Sequence, residues 1–401
     1  MGDRRRHHEH AADPHCLGVP GTSLRPAGWC HAVIVFTEEQ EDLRKAVRAL
    51  CDERSPESEV RRLMDTDGGY DEVVWKQLAQ MGLLGLVIPE EHGGAGATWS
   101  DVGIVLEETG RALLCSPYFS TVVLGCGALL FSDDSAAQAE YLPRIAAGAL
   151  RATFAVTEDS GRWDTEGVQL AARCSDGAWA LDGHKCFVLD GLTADLLLLV
   201  ARTDLGLSLF AVDADSAGLT RTPLKTMDAT RKQARLELHS TPAQLIGIDG
   251  QGWAVTRIVL DLAAAALAAE QVGGARKALE TAVTYAKIRH QFGRPIGSFQ
   301  AIKHACADMF LQVEGATSVA HEAVRAIGSG GEDAALLASL AKAYCSDAFF
   351  NVAAKNIQIH GGIGFTWEHP AHLYFKRAKT GQLLFGDSHY HRALLADRLG
   401  I

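Results

Sequence analysis

What this chain lacks narrows its function first. It holds no run of about 18 consecutive apolar residues, the length a membrane-crossing helix needs, so no membrane span is expected. An excess of positive charge is missing too. The 38 Lys and Arg against 49 Asp and Glu leave a formal charge of -11, which repels nucleic-acid phosphates and confines any anionic ligand to a local basic patch. There is no Cys-x-x-Cys pair. The nine cysteines are scattered and odd in number, a pattern that fits reduced thiols in a cytoplasmic protein better than disulfides or zinc. No apolar stretch follows Arg4-Arg5-Arg6 to complete a signal peptide, and residues 1–35, rich in Arg, His, Gly and Pro, read as a disordered leader.

What is present is ordinary for a globular protein: 401 residues, 47% hydrophobic and 22% charged, enough for two or three domains. Order is expected from Phe36, with Thr37 and Gln40 as a capping box and Leu43, Val47 and Leu50 on one helical face. Helical patterns run to about Gly148, broken at Pro56, at Asp67-Gly68-Gly69 and after Pro89. Over 151–248 short apolar or alternating runs (153–156, 168–171, 178–181, 196–201, 209–212, 235–238) are separated by turn signals, the pattern of a small β-domain. From 249 to the end the pattern is helical again. An alanine-rich stretch over 252–289 lets neighbours approach at Ala263 to Ala266, with Ile258, Leu262 and Leu267 filling the gaps. Further helices over 299–327, 333–360, 371–382 and from about 387 suggest a four-helix bundle.

Two stretches carry candidate chemistry. In RHQFGRPIGSFQAIKHACADM (289–309), Arg289 and Gln291 end a helix beside glycine and proline. A guanidinium there can grip a pyrophosphate through two parallel hydrogen bonds, Gln291 can bond a neutral polar edge, and Phe292 can pack beside a ring. The plainer alternative makes Arg289 a cation placed favourably at a helix C-terminus. In QIHGGIGFTWEHP (358–370), Gly361 and Gly362 let a ligand approach the backbone beside Gln358, or merely end a helix.

With FAVTEDSG (154–161) and LDGHKCFVLDG (181–191), these stretches stand in the order and spacing of the acyl-CoA dehydrogenase family, which the chain resembles from about residue 36 to its end. The resemblance implies an α+β fold: an N-terminal all-α domain (36–150), a small β-barrel-like middle domain (151–248) and a C-terminal four-helix bundle (249–401). It implies FAD as cofactor. Arg289, Gln291, Phe292, Gln358, Gly361 and Gly362 match residues that reach the FAD of a neighbouring subunit, and Ala155, Val156, Thr157 and Phe187 match residues near the chain's own flavin ring. It further implies an acyl-CoA substrate, oligomerisation and an electron-transfer flavoprotein as electron acceptor. Against the family pattern, Asp159-Ser160-Gly161-Arg162-Trp163-Asp164 replaces Pro-x-Ala-Gly-Ser-Asp, and Leu189 replaces a threonine.

The largest departure concerns the base. The reaction the resemblance implies removes the α-proton of a thioester with a carboxylate. Family members carry that glutamate in the C-terminal segment or on the long bundle helix. Here Phe385 stands at the first position and Ala263 near the second. Asp387 is the nearby substitute, although an N-cap for the last helix explains it more cheaply, and Asp261 lies on the bundle helix off the expected face. His389 and His391 read as surface or interface histidines. The resemblance is therefore to the partner subunits, themselves without a catalytic base, of bacterial heteromeric acyl-CoA dehydrogenases that shorten steroid side chains. The alternatives are a self-sufficient enzyme using Asp387 and a flavin-free structural or regulatory subunit.

Overall fold

Thr37 opens the first helix by accepting from the Gln40 N–H while the Gln40 side chain accepts from the Thr37 N–H. The structure is a computed structural model that describes residues 36–401; the leader read into 1–35 lies outside the described residues. The first part is helical: α1 (Glu38–Arg54), α2 (Glu57–Met64), α3 (Glu72–Gln80), α4 (Trp99–Arg111), α5 (Cys126–Leu130) and α6 (Ser135–Ala146). Pro56 separates α1 from α2 as its missing N–H dictates. A stretch of π-helix, Phe119–Gly125, which no sequence signal announced, leads into α5. Such bulges recur at functional sites.

The strands follow: β1 (Ala152–Ala155), β2 (Ala171–Ser175), β3 (Ala178–Leu189), β4 (Leu196–Arg202), β5 (Leu207–Asp213), β6 (Leu219–Pro223) and β7 (Gln233–Ile246). They hydrogen-bond in the order β1-β4-β2-β3-β7-β5, and β5 also pairs with β4, which closes the sheet on itself. β4 shows why its sequence is apolar without alternation. Leu197, Leu199 and Ala201 fill the barrel with Phe210 and Leu236, while Leu196, Leu198 and Val200 face the helical core. Two expectations shift here. The run at 168–171 is mostly a loop whose Val168 and Leu170 are buried ahead of β2, and β6 was not foreseen because it is a largely exposed edge strand without apolar alternation.

The last part comprises α7 (Gly252–Ile288), α8 (Gln300–Ser329), α9 (Ala334–His360), α10 (Ala371–Leu383) and α11 (Ser388–Leu399). By length and composition α7 is apolar enough to cross a membrane, although charged residues interrupt it, and it is the core of this fold, buried without a break from Leu262 to Ala275. Glycine lets α4 approach it: a Cβ on Gly273 would lie 1.8 Å from the Glu107 carbonyl oxygen. Ile258, expected to fill a gap, faces outward instead, whereas Leu262 and Leu267 are buried as expected.

Candidate active site

The turn between α10 and α11 carries Phe385. Its backbone is left-handed, φ 58°, in a region that residues with a Cβ seldom occupy. The ring is buried. It stacks on Phe119 of the π-helical stretch (centroids 5.8 Å apart, 19° between planes) and meets Trp163 at 5.5 Å and 57°. Aromatic rings from three parts of the chain, Phe119, Trp163 and Phe385, thus pack together at this turn.

Behind Phe119 lies a charge cluster. The Arg231 guanidinium sits over the Phe119 ring, 5.1 Å from its centroid, and is ion-paired to Glu270 of α7. Glu270 also takes a hydrogen bond from Arg377 of α10 (2.9 Å), and Arg377 continues to Asp228 (2.8 Å) and to the Thr230 hydroxyl (2.7 Å). Arg377, Asp228 and Glu270 are all buried. Burial works against the Glu270 carboxylate, but Arg231 and Arg377 outweigh it and hold its pKa below the ordinary value. Nearby, burial pushes Asp190 up to about 6 although Ser120 donates to it at 2.6 Å. The cavity left among Phe119, Leu189, Asp190, Arg231 and Arg377 is about 20 Å³, which suits a water molecule and not an acyl chain. A cavity of about 350 Å³ lies elsewhere, between α1, α4, α7 and α10, and is lined by Arg48, Glu108, Lys277 and Tyr374.

The carboxylates considered as bases are engaged. Asp387 is exposed and caps α11, accepting from the Tyr390 N–H at 2.8 Å. Asp261 is paired with Arg398 at 2.7 Å. His391, expected at the surface, is buried, and its Nε2 lies 2.9 Å from the Phe385 carbonyl oxygen.

In the β-domain, Val156 and Thr157 are buried and Phe187 is 45% exposed. Thr157 spends its hydroxyl on the Cys186 carbonyl at 2.8 Å. Lys185, fully buried, ties the Val156 carbonyl to Glu158 (2.9 Å each), and burial lowers its pKa to about 8. A bulge between Lys185 and Val188 turns Phe187 out of the barrel at φ 60°. This strip is preformed, but it offers few free polar groups.

The outward-facing set differs. Arg289 ends α7, exposed and without an ion-pair partner among the described residues. Gln291 lies in the two-strand hairpin that follows, and Phe292 is 90% exposed at φ 54°. Gln358 is exposed at the end of α9, and a Cβ placed on Gly361 or Gly362 would touch nothing within 4 Å. The two groups adjoin because Tyr285, one turn before Arg289, stacks on His360 at 4.3 Å. Gln358 accepts from Lys355 at 3.3 Å through Oε1, and with an unpaired guanidinium, the Gln291 amide, an upstanding phenyl ring and an open glycine turn it could meet a phosphate-bearing ring cofactor presented by another chain. Sequence reasoning missed Phe119, Arg231, Glu270 and Arg377, and noted Trp163 only as a departure from the family pattern. Glu270 inside an alanine-rich apolar run was the available signal, since a buried carboxylate requires partners.

Residues 37–149 match the N-terminal domain of acyl-CoA dehydrogenases, 153–241 the middle domain and 250–400 the C-terminal domain. The chain is 36% identical over 352 residues to the acyl-CoA dehydrogenase IpdE2 of Mycolicibacterium smegmatis, covering 88% of this chain and 96% of that one. Among solved structures it resembles a Tcur3481-Tcur3483 steroid acyl-CoA dehydrogenase variant (32% identity, TM-score 0.82, 90% of this chain and 98% of that one). It also resembles the ChsE4-ChsE5 complex from Mycobacterium tuberculosis (27% identity, TM-score 0.84, 91% and 98%). The chain belongs to the acyl-CoA dehydrogenases, a family of flavoprotein oxidoreductases.

Proposed function

We propose that this chain is one subunit of a heteromeric acyl-CoA dehydrogenase whose partner, a homologous chain, supplies the catalytic carboxylate. The observation that carries the reading is Phe385, a buried ring stacked on Phe119 where the resemblance implies a base. The relatives that resemble it include a steroid acyl-CoA dehydrogenase and a two-component complex, which points to a steroid-derived acyl-CoA as substrate. FAD, when bound, accepts the hydride from the substrate's β-carbon, and an electron-transfer flavoprotein is the acceptor we expect to reoxidise it. On this chain Arg289 would hold the pyrophosphate, Gln291 and Gln358 would bond polar edges, and Phe292 would pack beside a ring. The aromatic plug excludes water and acyl group alike from this chain's own half, so the α-proton goes to the partner's carboxylate.

Expression alone should give little bound FAD and a turnover lower than the co-expressed pair by a factor on the order of a hundred to ten thousand, the usual cost of a missing base. Fast turnover by the isolated chain, with full flavin occupancy, is the opposing result. The self-sufficient reading makes a separate prediction. Asp387→Asn keeps an equally good N-cap, so stability holds in either case. Turnover of the active complex should stay within about twofold if the partner supplies the base, and should collapse if Asp387 does.

A further inference from the structure

The turn that carries Phe385 is held from beneath by buried side chains that neither the fold nor the base explains. Lys342 of α9 is fully buried. Its ammonium donates to the Gly386 carbonyl (2.8 Å), the Ser346 hydroxyl (3.1 Å) and the Gln382 carbonyl (3.3 Å). No carboxylate lies within ion-pairing distance of it among the described residues. Ser346 is fixed in turn by the Gln271 amide of α7 at 3.1 Å. From α11, His391 holds the adjoining carbonyl, that of Phe385, at 2.9 Å, and its Nδ1 lies 3.4 Å from Ser339. Burial and the charge on Lys342 push His391 down to about 4, so its imidazole is neutral and Nε2–H donates. Two successive left-handed residues, Phe385 and Gly386, are thus bonded through both of their carbonyls.

We propose that Lys342 is a positioning residue: together with His391 it mounts the 384–387 turn so that the side chain at 385 is delivered between Phe119 and Trp163. A fully buried cation with only neutral acceptors is an expensive way to fasten a loop, because burial favours its uncharged form. What it provides is direction. One nitrogen ties the Gly386 carbonyl of the turn to the Gln382 carbonyl at the end of α10 and to the Ser346 hydroxyl of α9, which fixes the turn against both helices. Both bonds to the turn reach backbone carbonyls, so the mount acts on the backbone and not on the identity of the side chain at 385. The inference does not depend on where the base comes from.

The mount also responds to pH. Burial brings Lys342 down to about 7, with Asp387, Cys345 and Asp347 acting in the other direction and His391 beside it. Loss of the proton removes one donor and the charge assistance of the others. The turn then loosens and the Phe385 ring shifts against Trp163.

The test uses the full chain. Tryptophan emission is followed from about pH 5.5 to about pH 9, with Trp163→Phe as the blank, alongside the NMR signals of the chain labelled at lysine 13Cε. The expected result is a single-proton transition centred near pH 7 in the Trp163-dependent emission, coincident with one lysine signal titrating at the same midpoint. Lys342→Met, or Lys342→Gln, should give a flat profile held at the high-pH value. A flat wild-type profile, the absence of a lysine signal titrating near neutrality, or a transition that persists in either variant overturns the proposal. The wild-type measurements decide even if both variants fail to fold.

Discussion

Arg377→Met should destabilise the fold by about 3–5 kcal/mol, read as a fall in the urea midpoint or as loss of soluble protein. The substitution preserves most of the side-chain volume, so the effect is electrostatic. It strands Asp228 without its guanidinium and leaves Glu270 with Arg231 alone, all in a region closed to water. The contrast that gives the number meaning is Arg392→Met. Arg392 is 60% exposed and pairs with Asp347, and a solvated pair of that kind contributes at most about 1 kcal/mol. Similar losses from the two variants would mean that the cluster behind Phe119 is not closed to solvent.

Arg289→Ala should leave that midpoint where it is and lower FAD retention in the assembled complex about ten- to a hundredfold. Loss of a charge-assisted pair of bonds to a phosphate is of that size. The separation of effects follows from position: Arg289 is exposed and makes no ion pair among the described residues. Flavin absorbance after extended dialysis reads the result. Unchanged retention would reduce Arg289 to a favourable cation at the end of α7.

Local chemistry made much of the fold legible. Thr37 and Gln40 marked the start of α1, Pro56 its end, and the later helices begin and end within a residue or two of the glycines, prolines and caps that bound them. β4 was legible from its apolar run. The π-helical stretch was not, because nothing local in Phe-Ser-Thr-Val-Val distinguishes it from an α-helix. A phenylalanine at 385, where the resemblance implies a base, could be read from the sequence, but what packs around it could not. The aromatic plug joins Phe119, Trp163 and Phe385, and the charge cluster joins Asp228, Arg231, Glu270 and Arg377, each across long stretches of chain. A charged residue in an apolar helix says that a partner exists; only packing says which. His391 was misread for the same reason, since its ring turns inward to the Phe385 carbonyl rather than out to solvent.

If, as proposed, Phe385 closes this chain's own half-site while the Arg289 and Gln358 face serves another, flavin stoichiometry is the most direct test. The chain is co-purified with a homologous dehydrogenase subunit, and FAD per chain is measured by absorbance alongside the native mass. One flavin for each pair of unlike chains, with turnover belonging to the pair alone, is the predicted result. A flavin on every chain of a turning-over homo-oligomer would contradict it.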